Sequence, residues 1–363
     1  MQAVILSGGQ GTRLRPLTST MPKPAVPMVN RPMLWYMVDW LARHGVEDIV
    51  MSVGFLADGL RAALDETGHE GVNIRYVDEP EPLGTAGAIK YAEQHLDERF
   101  LVLNGDILTD FDISAEIAQH ESTGARATLA LVPVDDPTAY GLVLTDSDQR
   151  VLSFLEKPSV DEVPPNPRIN AGAYVLERDV MDLIPTGKAV SFEREVFPAL
   201  IDNGIYGYDA DGYWLDLGTP ERYVEATRDL LANNLTSWLS PELNASGSAI
   251  AASARTELGI VRDPVAVDEN VTVDAGATIG AYSVVGPDVS IGSNAALAGS
   301  VLMRGCSVGE GVDIAQALIG PGVSIGAGAR IESDVVIGEG ATIDPGARIA
   351  AGSRIDAKAA VTA

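Results

Sequence analysis

A glycine-rich stretch followed by two cations lies near the start of the chain. Gly8, Gly9 and Gly11 precede Arg13, and Lys23 follows further on. Glycines let backbone N–H groups approach a ligand without a Cβ in the way, and successive N–H groups in such a turn form an anion-binding nest. The two side chains add full positive charges to that nest. These residue types predict a site for a di- or triphosphate.

The charge of this region is opposite to that of the whole protein. The 363 residues carry a net charge of −26, yet positions 1–38 hold four basic side chains and no acidic one. The glycines could instead serve only a strand–turn–helix connection. Two common phosphate loops are excluded, because no Gly-Lys-Ser/Thr follows and Leu14 stands where a dinucleotide fingerprint has its third glycine. The cationic stretch therefore favours a different kind of polyphosphate site.

Two aspartates follow apolar runs elsewhere in the chain. Asp106 comes after the run 100–103, and Asp216 lies in the segment 214–218. Either residue alone could be a turn or helix-cap residue. Mg²⁺ binds hard oxygen ligands, often only one or two carboxylates together with phosphates and water. Beside a phosphate site, the pair is interpreted as a magnesium site.

These residues need a scaffold, and the pattern of residues 1–235 predicts an α/β domain, Rossmann-like with a mixed sheet. Apolar strand-like runs alternate with helical segments, which is typical of βαβ units on a largely parallel sheet. Ligands of such sheets bind beyond the carboxyl ends of the strands. We therefore expect Gly8 and the segment 104–106 to lie close together. The predicted strands are 3–6, 48–53, 72–77, 100–103, 126–134, 141–145, 151–155, 171–176, 204–208 and 213–217, and the predicted helices are 55–64, 86–95, 112–121, 191–201 and 220–233.

A second pattern begins after a segment of little periodicity, 236–263, which is interpreted as a linker. From residue 264 to 363, aliphatic residues recur every six positions, with slipped steps at Val308 and Ile314. This period predicts a parallel β-helix rather than a disordered tail, and the repeat resembles the left-handed hexapeptide β-helix. The predicted core positions are Val267, Val273, Ile279, Val285, Ile291, Leu297, Met303, Ile319, Ile325, Ile331, Ile337, Ile343, Ile349, Ile355 and Val361.

The motifs, in their order along nearly the whole chain, resemble those of the sugar-nucleotide pyrophosphorylases. The segments 8–13 and 22–24 carry the resemblance most specifically. It implies Mg²⁺-dependent transfer of a nucleoside monophosphate from an NTP to a sugar 1-phosphate, with release of pyrophosphate. The segments 154–158 and 193–198 and the short β-helix are most similar to members that use GTP and mannose 1-phosphate. Members that use dTTP and glucose 1-phosphate share most motifs and are the alternative.

The resemblance also implies roles for individual residues. It assigns catalysis to Arg13, Lys23, Asp106 and Asp216, the two aspartates holding Mg²⁺. Thr85 could instead cap a helix, and Arg194 could instead form a helix salt bridge. Nucleotide contacts are implied for Leu6, Ser7, Gly8, Gly9, Gly11, Thr12, Arg13, Lys23, Pro82, Leu83, Gly84, Thr85, Ala86, Asn104 and Gly105. Sugar-phosphate contacts are implied for Tyr140, Gly141, Glu156, Lys157, Asn170, Ala171, Gly172 and Arg194.

Composition limits the other possibilities. Acidity argues against nucleic-acid binding, and the single cysteine, Cys306, excludes an intrachain disulfide and favours a reducing compartment. No window approaches the roughly 20 apolar residues of a membrane helix. The first residues enter a strand without the features of a signal peptide. We therefore expect a cytoplasmic protein with no membrane partner.

The sequence disfavours two further functional classes. Hexapeptide β-helices often belong to acyltransferases, which by resemblance use a histidine there, and positions 235–363 contain none. A non-catalytic regulatory paralogue would have degraded motifs, whereas Arg13, Lys23, Asp106 and Asp216 are all present. The β-helix is then expected to be an assembly module of a homo-oligomer.

Overall fold

A computed structural model describes all residues, Met1–Ala363, and they form two compact units. The sheet unit comprises Met1–Gly9, Met37–Ala57 and Gly68–Trp214. The β-helix unit comprises Gln10–Tyr36, Asp58–Thr67 and Leu215–Ala363. No helix is both long enough and apolar enough to cross a membrane. The units thus differ from the predicted domains, because Gln10–Tyr36, which carries Arg13 and Lys23, groups with the β-helix.

The sheet unit is built on nine strands in one mixed sheet. The strands are β1 Gln2–Ser7, β4 Asp48–Val53, β5 Asn73–Asp78, β6 Arg99–Asn104, β8 Ala127–Pro133, β9 Gly141–Thr145, β10 Val151–Glu156, β11 Arg168–Glu177 and β12 Ile205–Asp209. The strand order is β10-β9-β11-β6-β1-β4-β5, with β8 pairing to β11 and β12 to β8. Strands β1, β4, β5 and β6 are mutually parallel, whereas β11 runs antiparallel to β6. The predicted α/β sheet is confirmed.

Helices follow the parallel strands, as the alternating pattern predicts. The central strands β1 and β6 are buried almost throughout, because both of their faces are covered and both are rich in Val, Leu and Ile. The helices are α1 Met33–Arg43, α2 Ala57–Thr67, α3 Gly84–Tyr91, α4 Ile113–Thr123, α5 Phe197–Leu200, α6 Pro220–Leu231 and α7 Ser240–Ser246. The remaining short strands outside the β-helix are β2 Pro27–Met28, β3 Arg31–Pro32, β7 Ile107–Thr109 and β13 Trp214–Asp216.

The prediction of one α-helix over residues 191–201 is wrong, because two different helical forms occur there. A π-helical turn spans Phe192–Val196, and only Phe197–Leu200 is α-helical. The hydroxyl of Ser191 accepts a hydrogen bond from the Arg194 N–H (3.3 Å), which caps the wider turn locally. The periodicity of apolar residues alone does not distinguish a π turn from an α-helix.

The β-helix unit contains three parallel sheets of two- and three-residue strands. Inward-facing aliphatic side chains stack from coil to coil in one continuous core, consistent with the predicted left-handed β-helix. The first sheet contains β14 Ala249–Ile250, β16 Ala266–Val267, β19 Val284–Val285, β22 Val301–Leu302, β25 Leu318–Ile319, β28 Val336–Ile337 and β31 Arg354–Ile355. The second contains β15 Ile260–Val261, β18 Thr278–Ile279, β21 Ala296–Ala298, β24 Asp313–Ala315, β27 Arg330–Ile331 and β30 Arg348–Ile349. The third contains β17 Thr272–Val273, β20 Ser290–Ile291, β23 Ser307–Val308, β26 Ser324–Ile325, β29 Thr342–Ile343 and β32 Ala360–Val361.

One predicted core position is wrong. Leu302, not Met303, stacks in register between Val285 and Ile319. The corner before it is tighter, with Gly299 at φ 54° and the buried Ser300 hydroxyl donating to the Ala298 carbonyl (3.1 Å). The chain therefore reaches Leu302 one residue early, and the same shortening recurs between Ile314 and Ile319, where Gln316 has φ 47°. These two corners together account for the slipped steps in the repeat.

The residues assigned to a linker are structured. Helix α7 lies within 236–263, and β14 and β15 pair in register with β16 and β18. The coils of the β-helix thus begin at Ala249, ahead of residue 264. The aliphatic residues of these first coils are spaced irregularly, so the six-residue period does not reveal them.

The segment Gln10–Tyr36 contains a short hairpin, β2–β3, whose residues form hydrogen bonds within the β-helix unit. The Tyr36 hydroxyl donates to the Met28 carbonyl (2.9 Å), and the Tyr223 hydroxyl donates to the Pro27 carbonyl. At the hairpin tip, the Asn30 amide donates to the Val285 carbonyl (3.2 Å). Helix α6 and one early coil of the β-helix therefore each contribute a hydrogen bond to the segment that carries Arg13 and Lys23.

Candidate active site

The carboxyl ends of β1, β4, β5 and β6 form one edge of the sheet unit. There the Gly105 N–H donates to the Leu6 carbonyl (2.9 Å), and the Ser7 hydroxyl donates to the Ser52 carbonyl (2.9 Å). The sequence prediction that Gly8 and the segment 104–106 lie together is confirmed. The parallel pairing of β1 with β6 is the cause, since parallel neighbours end at the same edge.

Backbone and a carboxylate approach Gly8 closely. A Cβ placed on Gly8 would lie 3.0 Å from Glu79 Oε1, and one on Gly54 would lie 3.2 Å from the Gly8 carbonyl oxygen. A Cβ on Gly8 would press on the far end of the Glu79 side chain, and one on Gly54 would press on the backbone of the turn that follows β1. The absence of a Cβ at both positions thus permits this close approach.

The segment 82–86 leads into α3 at this edge. Gly84 has φ 72°, and a Cβ there would lie 2.6 Å from the Val190 carbonyl oxygen. That carbonyl accepts hydrogen bonds from the Ala86 and Gly87 N–H groups (3.0 and 3.2 Å). Thr85 does not cap the helix, because the N-cap residue is Leu83 and no side chain caps it. The Thr85 hydroxyl donates instead to Glu193 Oε2 (2.9 Å).

The predicted sugar-phosphate residues of β9 and β10 are adjacent. Gly141 pairs with Glu156, and a Cβ on Gly141 would lie 3.2 Å from Glu156 Oε2. The Lys157 N–H donates to the Tyr140 carbonyl (2.8 Å). Lys157 has φ 54°, a left-handed conformation that is unfavourable for a residue with a Cβ and is concentrated at functional sites. The strand end therefore presents an acid and an exposed cation side by side.

The start of β11 lies at the same edge. A Cβ on Gly172 would lie 2.8 Å from Asn104 Nδ2. Asn170 accepts a hydrogen bond from the Gly172 N–H (3.0 Å) and donates to the Tyr174 hydroxyl (2.9 Å). The Trp214 indole N–H donates to the Ala171 carbonyl (2.8 Å). The structure thus brings the predicted sugar-phosphate residues of β11 beside Asn104, a predicted nucleotide residue at the end of β6.

The charges around Glu156 are mixed. Burial raises the pKa of the Glu156 carboxyl above 4.5, the negative charge of Glu193 raises it further, and Lys157 and Arg194 oppose the rise. Arg194 is exposed and forms no ion pair, so the alternative of a helix salt bridge is not observed. Its influence on Glu156 is consistent with a cation at the edge of the sugar-phosphate residues.

The remaining predicted residues belong to the β-helix unit. Gly11 has φ 59°, and a Cβ there would lie 2.7 Å from the Lys23 Cβ. Lys23 is 7% exposed. The Arg13 guanidinium lies against Gly218, where a Cβ would be 2.6 Å from Nη2. Thr12 begins the 3₁₀ turn Thr12–Leu14 that positions Arg13. Gly11, Arg13 and Lys23 are therefore held by close contacts that exclude larger neighbours.

The two aspartates belong to different units. Asp106 follows β6 in the sheet unit, and Asp216 ends β13 in the β-helix unit. Both are half-buried. No group of three or more His, Cys, Asp or Glu side chains suited to a metal ion occurs in the structure.

Sequence reasoning missed two carboxylates of the sheet unit. Glu79 accepts hydrogen bonds from the Ser52 hydroxyl (2.7 Å) and, more weakly, from the Leu83 N–H (3.4 Å). Glu193 accepts from the Thr85 and Ser191 hydroxyls (2.9 and 2.5 Å). Glu79 follows the predicted strand 72–77, and Glu193 lies in the segment 193–198, but only the fold brings the two carboxylates against distant segments. A carboxylate directly beyond β5 was the one available signal for Glu79.

Known protein families and solved structures are similar to this chain. The profile of the family described as nucleotidyl transferase matches residues 2–233, and that described as the GMPPB C-terminal domain matches residues 261–362. A crystal structure of HddC from Yersinia pseudotuberculosis superposes with a TM-score of 0.55 at 32% identity, covering 62% of this chain and 97% of that chain. A second HddC structure, with a TM-score of 0.53 at 31% identity over the same shares, is complexed with GMP-PN.

Curated relatives align with the first part of the chain. A mannose-1-phosphate guanylyltransferase of Mycobacterium tuberculosis is 44% identical over 235 residues, 64% of this chain and 65% of that protein. A mannose-1-phosphate guanyltransferase of Saccharomyces cerevisiae is 39% identical over 261 residues, 70% of this chain and 71% of that protein. The chain thus spans about two thirds of the length of these relatives. From the family match over residues 2–233 together with these relatives, the chain belongs to the nucleotidyl transferase family.

Proposed function

We propose that the protein transfers GMP from GTP to mannose 1-phosphate, which yields GDP-mannose and pyrophosphate. The choice of substrates follows the names of the relatives from Mycobacterium tuberculosis and Saccharomyces cerevisiae. The observation that carries the proposal is the single edge at which Gly8, Gly105 and Gly172 converge beside the sugar-phosphate residues. An edge of this kind is where open α/β sheets bind nucleotides.

The reaction needs no general base. An oxygen of the sugar phosphate is already an anion and attacks the α-phosphorus of GTP. A new P–O bond forms, the bond from the α-phosphorus to the bridging oxygen breaks, and pyrophosphate leaves with that electron pair. Catalysis of this type depends on positioning and charge neutralisation. Arg13 and Lys23 supply positive charge toward the triphosphate, and Lys157 supplies it toward the sugar phosphate.

Asp106 and Asp216 are the proposed magnesium ligands. The donor set fits this ion, because Mg²⁺ takes one or two carboxylates and completes its shell with phosphates and water. A larger protein cluster would be needed for a closed metal site, and none is present. When bound, the ion supplies Lewis-acid neutralisation of the phosphate oxygens.

Glu79 favours guanine over thymine. By family resemblance the segment 82–86 lies against the base, and Glu79 accepts a hydrogen bond from the Leu83 N–H within it (3.4 Å). A carboxylate only accepts hydrogen bonds and has about four lone-pair sites. Guanine presents adjacent N1–H and N2–H donors, whereas thymine presents one N–H flanked by two carbonyl oxygens. The carboxylate therefore complements guanine and repels the carbonyls of thymine.

A substrate screen tests the proposal. Pyrophosphate release is measured with ATP, CTP, GTP, UTP and dTTP, each with mannose 1-phosphate and with glucose 1-phosphate, in the presence of Mg²⁺. The expected result is the highest kcat/KM for GTP with mannose 1-phosphate. A preference for dTTP with glucose 1-phosphate would replace the proposal with the thymidylyltransferase alternative, and release with no pair would reject both.

The β-helix is proposed to assemble the protein into a homo-oligomer. Its outward-facing positions include exposed apolar residues in the first coils, Leu258 at 68% and Ile260 at 52% exposure. Exposed apolar side chains that cluster are typical of interfaces between subunits. Light scattering of the purified protein at micromolar concentration is expected to give a mass above that of one chain, and a monomer mass would contradict assembly.

A further inference from the structure

The Glu193 carboxylate lies between two segments that serve different substrates in the proposed function. On one side, its Oε2 atom accepts hydrogen bonds from the Thr85 hydroxyl (2.9 Å) and the Ser191 hydroxyl (2.5 Å). Thr85 belongs to the nucleotide segment 82–86. The Thr85 hydroxyl also accepts a hydrogen bond from the Phe192 N–H (2.9 Å), so two hydrogen bonds link Thr85 to the π turn.

On the other side, Glu193 connects to the sugar-phosphate residues. The Tyr174 hydroxyl points at Glu193 Oε1 (3.5 Å) and accepts from the Asn170 amide (2.9 Å). Tyr174 is fully buried, so its hydroxyl has only these partners to satisfy it. Asn170 in turn accepts from the Gly172 N–H (3.0 Å). A continuous set of hydrogen bonds therefore runs from Thr85 to Asn170 through Glu193.

The π turn places Glu193 at this point. In an α-helix continued from Ser191, the side-chain directions would follow a 3.6-residue period, and the wider turn changes them. Single π turns inside helices occur frequently at functional sites. The backbone thus adopts an uncommon form where the carboxylate meets both segments.

We infer that Glu193 is a positioning residue that couples nucleotide binding to sugar-phosphate binding. Ordering Thr85 around a bound nucleotide fixes the Glu193 carboxylate, which fixes Tyr174 and Asn170 for the sugar phosphate. The effect is reciprocal, because coupling between two ligands is the same free energy from either side. The inference rests on the proposed function for the identity of the two ligands.

The negative charge of Glu193 also affects the pKa of Glu156. Three charged groups act on Glu156, namely Glu193, Lys157 and Arg194, and only Glu193 raises the pKa of its carboxyl. Removal of the Glu193 charge therefore lowers the pKa of Glu156. A residue with a merely structural role would not shift the titration of Glu156.

The test compares Glu193→Gln with Glu195→Gln in the full-length protein. Glu195 is exposed, lies two positions on and bonds the Ser191 N–H (3.1 Å), so it is a matched control. Calorimetry measures the affinity for mannose 1-phosphate with and without a non-hydrolysable GTP analogue. Coupling between ligands is typically about 5- to 150-fold. We expect an enhancement of this size in the wild type and in Glu195→Gln, and its loss in Glu193→Gln.

The pH dependence of kcat/KM for mannose 1-phosphate is the second readout. The acid limb is expected to move to lower pH in Glu193→Gln and to stay in place in Glu195→Gln. Should Glu193→Gln misfold, Thr85→Val removes the same link from the other side and is expected to abolish the enhancement. Retained enhancement in either folded variant, or an unmoved acid limb in Glu193→Gln, would overturn the inference. Wild-type protein without guanylyltransferase activity would instead reject the proposed function.

Discussion

The Ser52 hydroxyl donates a hydrogen bond to Glu79 Oε1 over 2.7 Å. Ser52 is fully buried near the end of β4, and Glu79 directly follows the neighbouring parallel strand β5. A buried hydroxyl needs a partner, and the carboxylate supplies it while keeping further lone pairs for a ligand. This bond fixes Glu79 beside Gly8, at the edge where the base is proposed to bind.

Glu79→Gln tests whether this carboxylate selects the base. The amide keeps one acceptor but replaces the other by an NH₂ donor, which opposes the guanine N–H groups. One good base contact contributes about 1–3 kcal/mol of discrimination. We expect kcat/KM for GTP to fall by about 5- to 150-fold, with a smaller fall for dTTP. Pyrophosphate release with both nucleotides measures the change.

Glu81→Gln is the control for this substitution, because Glu81 is exposed and two positions away. It is expected to behave as the wild type. An equal loss with GTP and dTTP in Glu79→Gln would indicate a general defect of the turn and would contradict base selection.

Asp106→Asn and Asp216→Asn test the metal assignment. The amide retains the shape but not the charge that Mg²⁺ requires, so kcat is expected to fall by at least about 100-fold, in line with the loss of one electrostatic catalytic group. Circular dichroism and the melting temperature should stay unchanged. Asp211→Asn, at an exposed aspartate nearby in sequence, serves as control. Near-full activity of either test variant would remove that residue from the metal site.

Arg13→Ala and Arg15→Ala form a matched pair in the cationic segment. Both side chains are exposed, but only the Arg13 guanidinium packs against Gly218. We expect Arg13→Ala to lower kcat with GTP by at least about 100-fold, because a fixed cation is lost from the triphosphate. The KM for mannose 1-phosphate should change little. Equal effects of the two substitutions would indicate that the triphosphate responds to the overall positive potential of the segment rather than to a specific contact with Arg13.

Glu116 predicts a pH dependence of stability. The residue is fully buried on α4, neither carboxylate oxygen has a hydrogen-bond partner, and burial raises its pKa well above 4.5. Above pH 4.5 the unfolded chain releases this proton while the folded protein keeps it. The free energy of unfolding therefore decreases as pH rises from 4.5 toward the folded pKa, and the contribution is fully present only below 4.5.

Glu116→Gln removes this titration. We expect the variant to gain stability relative to the wild type as pH rises above 4.5, as measured by urea unfolding over a series of pH values. Glu121→Gln, at an exposed carboxylate of the same helix, should show no such gain beyond the effect of its ion pair with Arg99 (2.7 Å). A difference between wild type and Glu116→Gln that is independent of pH would contradict the argument.

Much of the fold follows from local pattern. The six-residue period predicts the β-helix because each aliphatic residue stacks on one in the next coil, so a single spacing repeats along the chain. The shared edge of β1 and β6 follows from their parallel pairing alone. By contrast, the Leu302 position could not be predicted, because the tight corner at Gly299 shortens one coil without leaving a mark in composition.

The sequence indicates candidate site residues where their pattern is local and misses those whose partners are distant in sequence. The glycines and cations of the segment 8–23 lie close together in sequence, so their pattern can be recognised without the fold. Glu79 and Glu193 act through partners on other elements, Ser52 and Thr85, and only the strand order joins them. The grouping of Gln10–Tyr36 with the β-helix has the same origin, since the Asn30 contact with Val285 links residues far apart in sequence.

Isotope-labelled GTP tests the central claim most directly. With phosphorus label at the α position, Mg²⁺ and mannose 1-phosphate, the account predicts that all transferred label appears in GDP-mannose and none in pyrophosphate. With label at the γ position, it predicts label in pyrophosphate alone. Label transferred to mannose from the γ position, or no label in a sugar nucleotide, would contradict nucleotidyl transfer by this protein.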